Sequence, residues 1–122
     1  MNMEVKEIDT VTAFERIQSG ALLVDIREWD EVEMVAFGME NLLQIPQSEM
    51  EQRFREIPVD KEIIVGCHSG VRSQHVILFL MEKGLNTVYS LKGGIRDWED
   101  QNFPVKWDNL ISEVSLHGNY TD

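Results

Sequence analysis

The chain has a single cysteine, Cys67, among 122 residues, and that scarcity excludes several architectures at once. An intramolecular disulfide needs two thiols and a sulfur-ligated structural zinc site needs more, so neither staples this fold. Three histidines, His68, His75 and His117, show no ligand spacing, so no metal site is expected. Basic side chains are also few: 11 Lys and Arg stand against 22 Asp and Glu, for a net charge of −11. Nucleic acid and anionic membrane surfaces bind through clustered cations, so this balance argues against both as partners. No apolar run approaches the ~20 residues of a membrane span. Met1 to Thr10 has neither the basic start nor the apolar stretch of a secretory signal, and with the free thiol this gives the expectation of a cytoplasmic protein. There is no internal repeat and no low-complexity tract.

What is present suits one globular domain. Hydrophobic residues make up 43% of the chain and charged residues 27%, an ordinary composition, and at this length folding buries roughly two-thirds of the unfolded surface. The charge is unevenly spread. Residues 1–60 carry 5 basic and 14 acidic groups, residues 97–122 carry 1 and 6, and the segment 61–96 between them carries 5 and 2. The only net-positive stretch is the one that holds the cysteine.

Apolar blocks alternate with amphipathic ones. Thr12 and Glu15 are spaced as a capping box, predicting a short helix that stops at Ser19 and Gly20. Ala21 to Ile26 predicts a buried strand, followed by the charged series Arg27, Glu28, Asp30, Glu31, Glu33, which reads as a solvated helix face. Leu42 to Ile45 predicts a strand closed by Pro46. Ser48 to Ile57 predicts an amphipathic helix with Met50, Phe54 and Ile57 on one side, ended by Pro58. A strand at Ile63 to Val65 precedes a Gly/Ser-punctuated loop and a helix from Ser73 to Lys83, apolar nearly all round and therefore packed inside. Val88 to Leu91 predicts a last strand, and Gly93 and Gly94 turn the chain into a helix from Ile95 to about Asn102. The stretch from Phe103 onward carries no assignment. This alternation implies an α/β fold, a doubly wound, mainly parallel sheet with helices on both faces. Sites in such sheets lie beyond the carboxyl ends of the strands, which directs attention to the loops after Ile26 and after Gly66.

The second of these loops, Cys67-His68-Ser69-Gly70-Val71-Arg72, runs from a strand end to a helix start. Inward-pointing amides and the helix dipole would make it an anion nest with the cysteine as a thiolate near neutral pH. Gly70 suits a backbone that needs positive φ or close approach. Ser69 and Ser73 have hydroxyls to offer the sulfur or to cap the helix. Arg72 either holds oxygens of a bound oxyanion or stays outside as a helix-start cation. His68 is either a proton donor or substrate contact, or a neighbour pointing away; His75 and His117 read as structural or solvent-facing. A packed, inert thiol is the competing reading of Cys67, against which stand the strand exit, the glycine, the arginine and the local basic bias.

In these residues the sequence resembles the rhodanese family over about Ile8 to Val105. Leu23-Val24-Asp25-Ile26-Arg27-Glu28 is similar to the family's Asp-Val-Arg-Glu element, Gln44-Ile45-Pro46 to its Asn-Ile-Pro, Cys67 to Arg72 to its six-residue active-site loop, and Gly93-Gly94-Ile95 with Trp98 to its Gly-Gly-x-x-x-Trp ending. Phe37-Gly38-Met39-Glu40-Asn41-Leu42 departs from the family's Gly-His-Ile-Pro-Gly-Ala, so a differently shaped loop is expected there. The resemblance implies a single rhodanese-like domain over 1–107, followed by an unassigned tail, 108–122. It further implies a sulfurtransferase without cofactor, in which Cys67 takes a sulfane sulfur from thiosulfate or a persulfide and passes it to cyanide or to a thiol. His68, Ser69, Gly70, Val71 and Arg72 would then bind substrate, and Asp25, Arg27 and Ser73 would support the loop. With one cysteine, the acceptor must be an external thiol or protein. Two other readings stay open: a non-catalytic binding or regulatory module, motivated by the acidic run Glu28 to Glu33, and a phosphatase, disfavoured because phosphate-cradling loops of this kind are one residue longer.

Overall fold

A computed structural model describes residues 4–107 of the chain. Five parallel strands form its central sheet: β1 (Glu7–Ile8), β2 (Leu22–Asp25), β4 (Leu42–Gln44), β5 (Ile63–Gly66) and β6 (Val88–Leu91), in the spatial order β1-β6-β5-β2-β4. All four residues of β5 are buried, because β5 is flanked by β6 and β2 and covered on both faces, the setting that selects branched apolar residues without alternation. Its register with β2 places Gly66 opposite Asp25. The two predicted loops therefore leave the sheet side by side.

Two apolar cores sandwich the sheet. On one face Val24, Ile26, Ile63 and Val65 pack with Met50, Ile57, Val76, Ile77 and Leu80. On the other, Leu23 and Ile64 pack with Ala13, Ile17, Phe37, Ile95 and Trp98. The helices supplying these cores are α1 (Thr10–Gln18), α3 (Met50–Arg53), α4 (Arg72–Glu82) and α5 (Gly94–Asp100), whereas α2 (Trp29–Met34) buries no residue. The expected α/β class, parallel sheet and helical cover are all present.

Several local expectations need correction. The N-cap of α1 is Asp9, whose carboxylate accepts the Thr12 amide at 2.8 Å, so Thr12 and Glu15 form no capping box. The predicted helix from Ser48 to Ile57 is broken into 3-10 turns at Gln47–Glu49 and Phe54–Glu56 around the four-residue α3. Its apolar side still turns inward, since Met50 and Ile57 are buried; burial of the face, rather than a regular helix, was what the pattern encoded. Nor is α4 packed all round: Val76, Ile77 and Leu80 are buried, while His75 and Leu78 are exposed. The unassigned stretch after Phe103 contains β7 (Val105–Trp107), antiparallel to β3 (Val35–Phe37) in a separate two-stranded ribbon. This ribbon shapes the atypical segment after Phe37: the Gly38 amide donates to the Pro104 carbonyl at 2.8 Å, and a Cβ on Gly38 would meet Pro104 backbone at 3.0 Å. No helix among the described residues is long and apolar enough to cross a membrane. His117 and the 108–122 tail lie outside the described residues.

Candidate active site

The sheet delivers Cys67 to the carboxyl end of its central strand, one residue past β5, where it is 1% exposed. The Gly70 amide donates to Cys67 Sγ at 3.1 Å, so the loop folds back on the sulfur as a backbone cup. Gly70 has φ +99, as the sequence led us to expect, and a Cβ there would lie 3.1 Å from the Gly93 nitrogen. The hydroxyl of Ser73 turns away from the sulfur, contrary to one expectation, donating to the Gly70 carbonyl at 3.2 Å and sharing a 2.6 Å hydrogen bond with Ser90 Oγ. It does not cap the helix either, since the N-cap of α4 is Val71 and has no side-chain cap. Both serines are fully buried. Ser73 thereby ties the loop to β6.

A clamp not foreseen from the sequence closes the other side of the loop. In the first turn of α5 the Ile95 amide donates to the Cys67 carbonyl at 2.8 Å and the Arg96 amide to the His68 carbonyl at 3.1 Å. Free amides at a helix start are suited to hold carbonyl oxygens. Gly94, at φ +60, makes this approach possible: a Cβ there would fall 2.5 Å from the Cys67 carbonyl oxygen and against that of His68. The Gly93-Gly94 pair signalled a turn; its contact with a loop more than twenty residues earlier is a tertiary fact.

Asp25 and Arg27 form a buried pair beside the loop, with Arg27 Nη2 2.8 Å from Asp25 Oδ2 and Nε 3.0 Å from Oδ1. Arg27 is 2% exposed and its guanidinium lies 5.5 Å from the Phe37 ring centroid. These two residues touch each other rather than the loop; the link to β5 is the Ile26 amide, which donates to the Gly66 carbonyl at 3.0 Å. The charged series from Arg27 onward is thus no simple solvated face. Arg27 is inside, and Glu31 reaches back to accept the Glu28 amide at 3.1 Å and forward to the loop.

Arg72 is occupied. Its Nη2 stands 2.6 Å from Glu31 Oε1 and its Nη1 2.9 Å from Oε2, a two-pronged pair in which both side chains are about one-third exposed. The hydrogen bonds from Arg72 hold the Glu31 carboxyl down at about 2, and the same pair raises the Arg72 guanidinium above its ordinary value. Arg72 stands at the start of its helix with a partner the sequence did not announce. His68, Ser69 and Val71 are exposed on the rim. Above them opens a cavity of about 500 Å³ whose wall includes Arg27, Glu31, His68, Ser69 and Arg72. Arg27 from one strand end and His68, Ser69 and Arg72 from the other therefore line one cavity, whereas His75, read as structural or solvent-facing, lines a separate groove beside α3.

The site thus sets a buried sulfur in a backbone cup, with a cavity lined by both charged and apolar side chains over the loop's rim. Comparison with known proteins agrees with this geometry. The family model for the rhodanese-like domain matches residues 10–101. A protein named sulfurtransferase from Allochromatium vinosum is 36% identical over 104 residues, covering 83% of this chain and 94% of that one. A thiosulfate sulfurtransferase of Haemophilus influenzae is 34% identical over 103 residues, covering 84% and 96%. Among solved structures, a rhodanese-related protein from Thermoplasma volcanium superposes with a TM-score of 0.75 at 29% identity, covering 83% of this chain and 97% of its own.

Proposed function

Because the chain belongs to the rhodanese-like domain family, we propose that it is a sulfurtransferase whose nucleophile is Cys67 and whose single domain spans residues 1–107. The observation that carries this reading is the cup itself: Cys67 Sγ accepts the Gly70 amide while α5 amides hold the carbonyls of Cys67 and His68. The Cys67 thiolate attacks the outer sulfur of thiosulfate or of an organic persulfide. A new S–S bond forms to Cys67, the donor's S–S bond breaks, and sulfite or a thiolate leaves with the electron pair. Cys67 is left as a persulfide anion. An external thiolate, or cyanide in an assay, then attacks its outer sulfur and restores the Cys67 thiolate. Every step is a displacement at sulfur, with no cofactor and no net redox change.

The supporting roles follow from position. Gly70 contributes an amide to the sulfur and, by lacking a Cβ, lets the loop meet Gly93. Ser73 braces the loop, the Asp25–Arg27 pair holds the neighbouring strand end, and His68, Ser69, Val71 and Arg72 form the rim a donor crosses. The relatives named sulfurtransferase support the activity, and the Haemophilus relative's name supports thiosulfate as a donor. The docking-module alternative has less support, because two of the four acids of its run are engaged within the chain: Glu31 pairs with Arg72, and Glu28 accepts the Ser48 hydroxyl at 2.7 Å and its amide at 3.1 Å.

Intact-mass measurement tests the proposal. After incubation with thiosulfate or an organic persulfide, wild type gains one sulfur atom and Cys67→Ser gains none. A wild type left unmodified by both donors overturns it.

A further inference from the structure

We propose that Glu31 is a specificity-determining residue that turns the Cys67 site away from doubly charged sulfur donors and toward singly charged donors carrying an organic group. The inference rests on the sulfurtransferase reading above and names the substrate class within it.

Thiosulfate is a dianion, and a site built for it would leave guanidinium groups free. Three arginines line the cavity over the loop, Arg27, Arg72 and Arg96. Arg27 is taken by Asp25, and both Nη atoms of Arg72 are taken by Glu31. Arg96 has no ion-pair partner among the described residues, but Glu99 stands on the same wall. Counting Asp25, three cations meet three carboxylates, so the cavity carries no net formal charge, inside a protein of net charge −11. Removing the Glu31 charge would leave the wall positive and release the Arg72 guanidinium. The Glu31 carboxyl, held at about 2, stays ionised across the working range.

Beyond the charged groups and the loop's His68 and Ser69, the wall is apolar. Met34, 71% exposed, joins Val35 and Ile95 on the same cavity. At about 500 Å³ the space is of small-molecule size, and a flexible methionine at its edge adapts to varied organic groups. An inorganic anion makes no use of this surface.

Methanethiosulfonate and thiosulfate make a matched pair, alike in shape around the central sulfur, one with a methyl group where the other has a charged oxygen. With the first, Cys67 thiolate takes the outer sulfur, the donor S–S bond breaks, and methanesulfinate leaves with the electron pair; the total charge is unchanged. Steady-state transfer to cyanide from each donor is measured for wild type, Glu31→Gln and Glu31→Asp. Glu31→Gln should lower the thiosulfate KM about three- to tenfold at low salt with little change in kcat, and move the methanethiosulfonate KM by less than about twofold. Glu31→Asp keeps the charge and should keep the wild-type KM ratio. In wild type, which needs no substitution, the thiosulfate KM should fall as salt rises to about 0.5 M, because the field being screened is repulsive. A thiosulfate KM that is unchanged or higher in Glu31→Gln, an equal shift for both donors, or a wild-type thiosulfate KM that rises with salt overturns the inference while leaving the sulfurtransferase reading standing. No transfer from either donor by wild type removes both.

Discussion

The loop around Cys67 has an inner side and an outer side, and different forces hold them. On the inner side backbone meets backbone: Gly70 against Gly93, Gly94 against the carbonyls of Cys67 and His68, with Ser73, Ser90 and the Asp25–Arg27 pair all buried. On the outer side His68, Ser69 and Val71 face solvent, and a single ion pair, Glu31–Arg72, is about one-third exposed. Both sides contain an arginine paired with a carboxylate at similar distances. What separates them is burial, which determines whether losing a partner strands a charge in a poorly solvated place or merely returns it to water. Geometry is fixed within, and selectivity is adjustable without.

The sharpest way to break this contrast is to put a methyl group on the inner side. Gly94→Ala places a Cβ against two backbone carbonyls at positive φ, so unfolding titrations should show a loss of about 3 kcal/mol or more. Persulfide formation on Cys67 should disappear with it. Full stability and full loading in that variant would mean that the α5 clamp does not govern the loop.

A second test compares the two arginines directly. Arg27→Met leaves Asp25 buried and unpaired and should cost about 3–5 kcal/mol, whereas Arg72→Met should cost no more than about 1 kcal/mol. Asp25→Asn combined with Arg27→Met should recover part of the larger loss, because no unpaired charge remains. Equal costs for the two single variants would erase the distinction between inside and outside.

The smallest effect is acid sensitivity. Glu31 titrates at about 2 in the folded chain, below its ordinary value of 4.5, chiefly because Arg72 hydrogen-bonds to it. A lowered carboxyl contributes stability that is present above pH about 4.5 and is lost as pH falls toward about 2. Asp9 and Glu56 are lowered as well, so wild type minus Glu31→Gln is the useful quantity. That difference should shrink between pH 5 and pH 2 and amount to at most about 1 kcal/mol, given the exposure of the pair. A difference independent of pH would show that the Glu31 charge adds nothing to folding.

Much of the inner side was legible in the sequence, because it is made of local signals: short branched runs for β2, β5 and β6, a glycine at Gly70 where the backbone takes positive φ, and a thiol at a strand exit. The outer pair was not, since Glu31 and Arg72 are 41 residues apart and a carboxylate in an acidic run looks the same whether solvated or paired. Arg27 was misread within that run for the same reason: a buried arginine is marked by its partner, not by its neighbours. The β3–β7 ribbon escaped because it rests on a long-range pairing, Val35 with Trp107, that neither three-residue strand marks locally. The broken helix at Ser48 to Ile57 escaped because its apolar spacing survives in 3-10 turns.

Trp98 gives the inner side an optical signature. It is fully buried among Phe14, Phe37 and Phe103, with its indole nitrogen donating to the Pro104 carbonyl at 2.8 Å, whereas Trp29 and Trp107 are 43% and 56% exposed. The helix that carries Trp98 begins with Gly94, so one rigid rod of seven residues has the loop's clamp at one end and an enclosed chromophore toward the other. With Trp29 and Trp107 replaced by phenylalanine, the remaining tryptophan fluorescence would come from the element that seats Cys67. Its colour would report whether that element is docked, in real time and without any substrate.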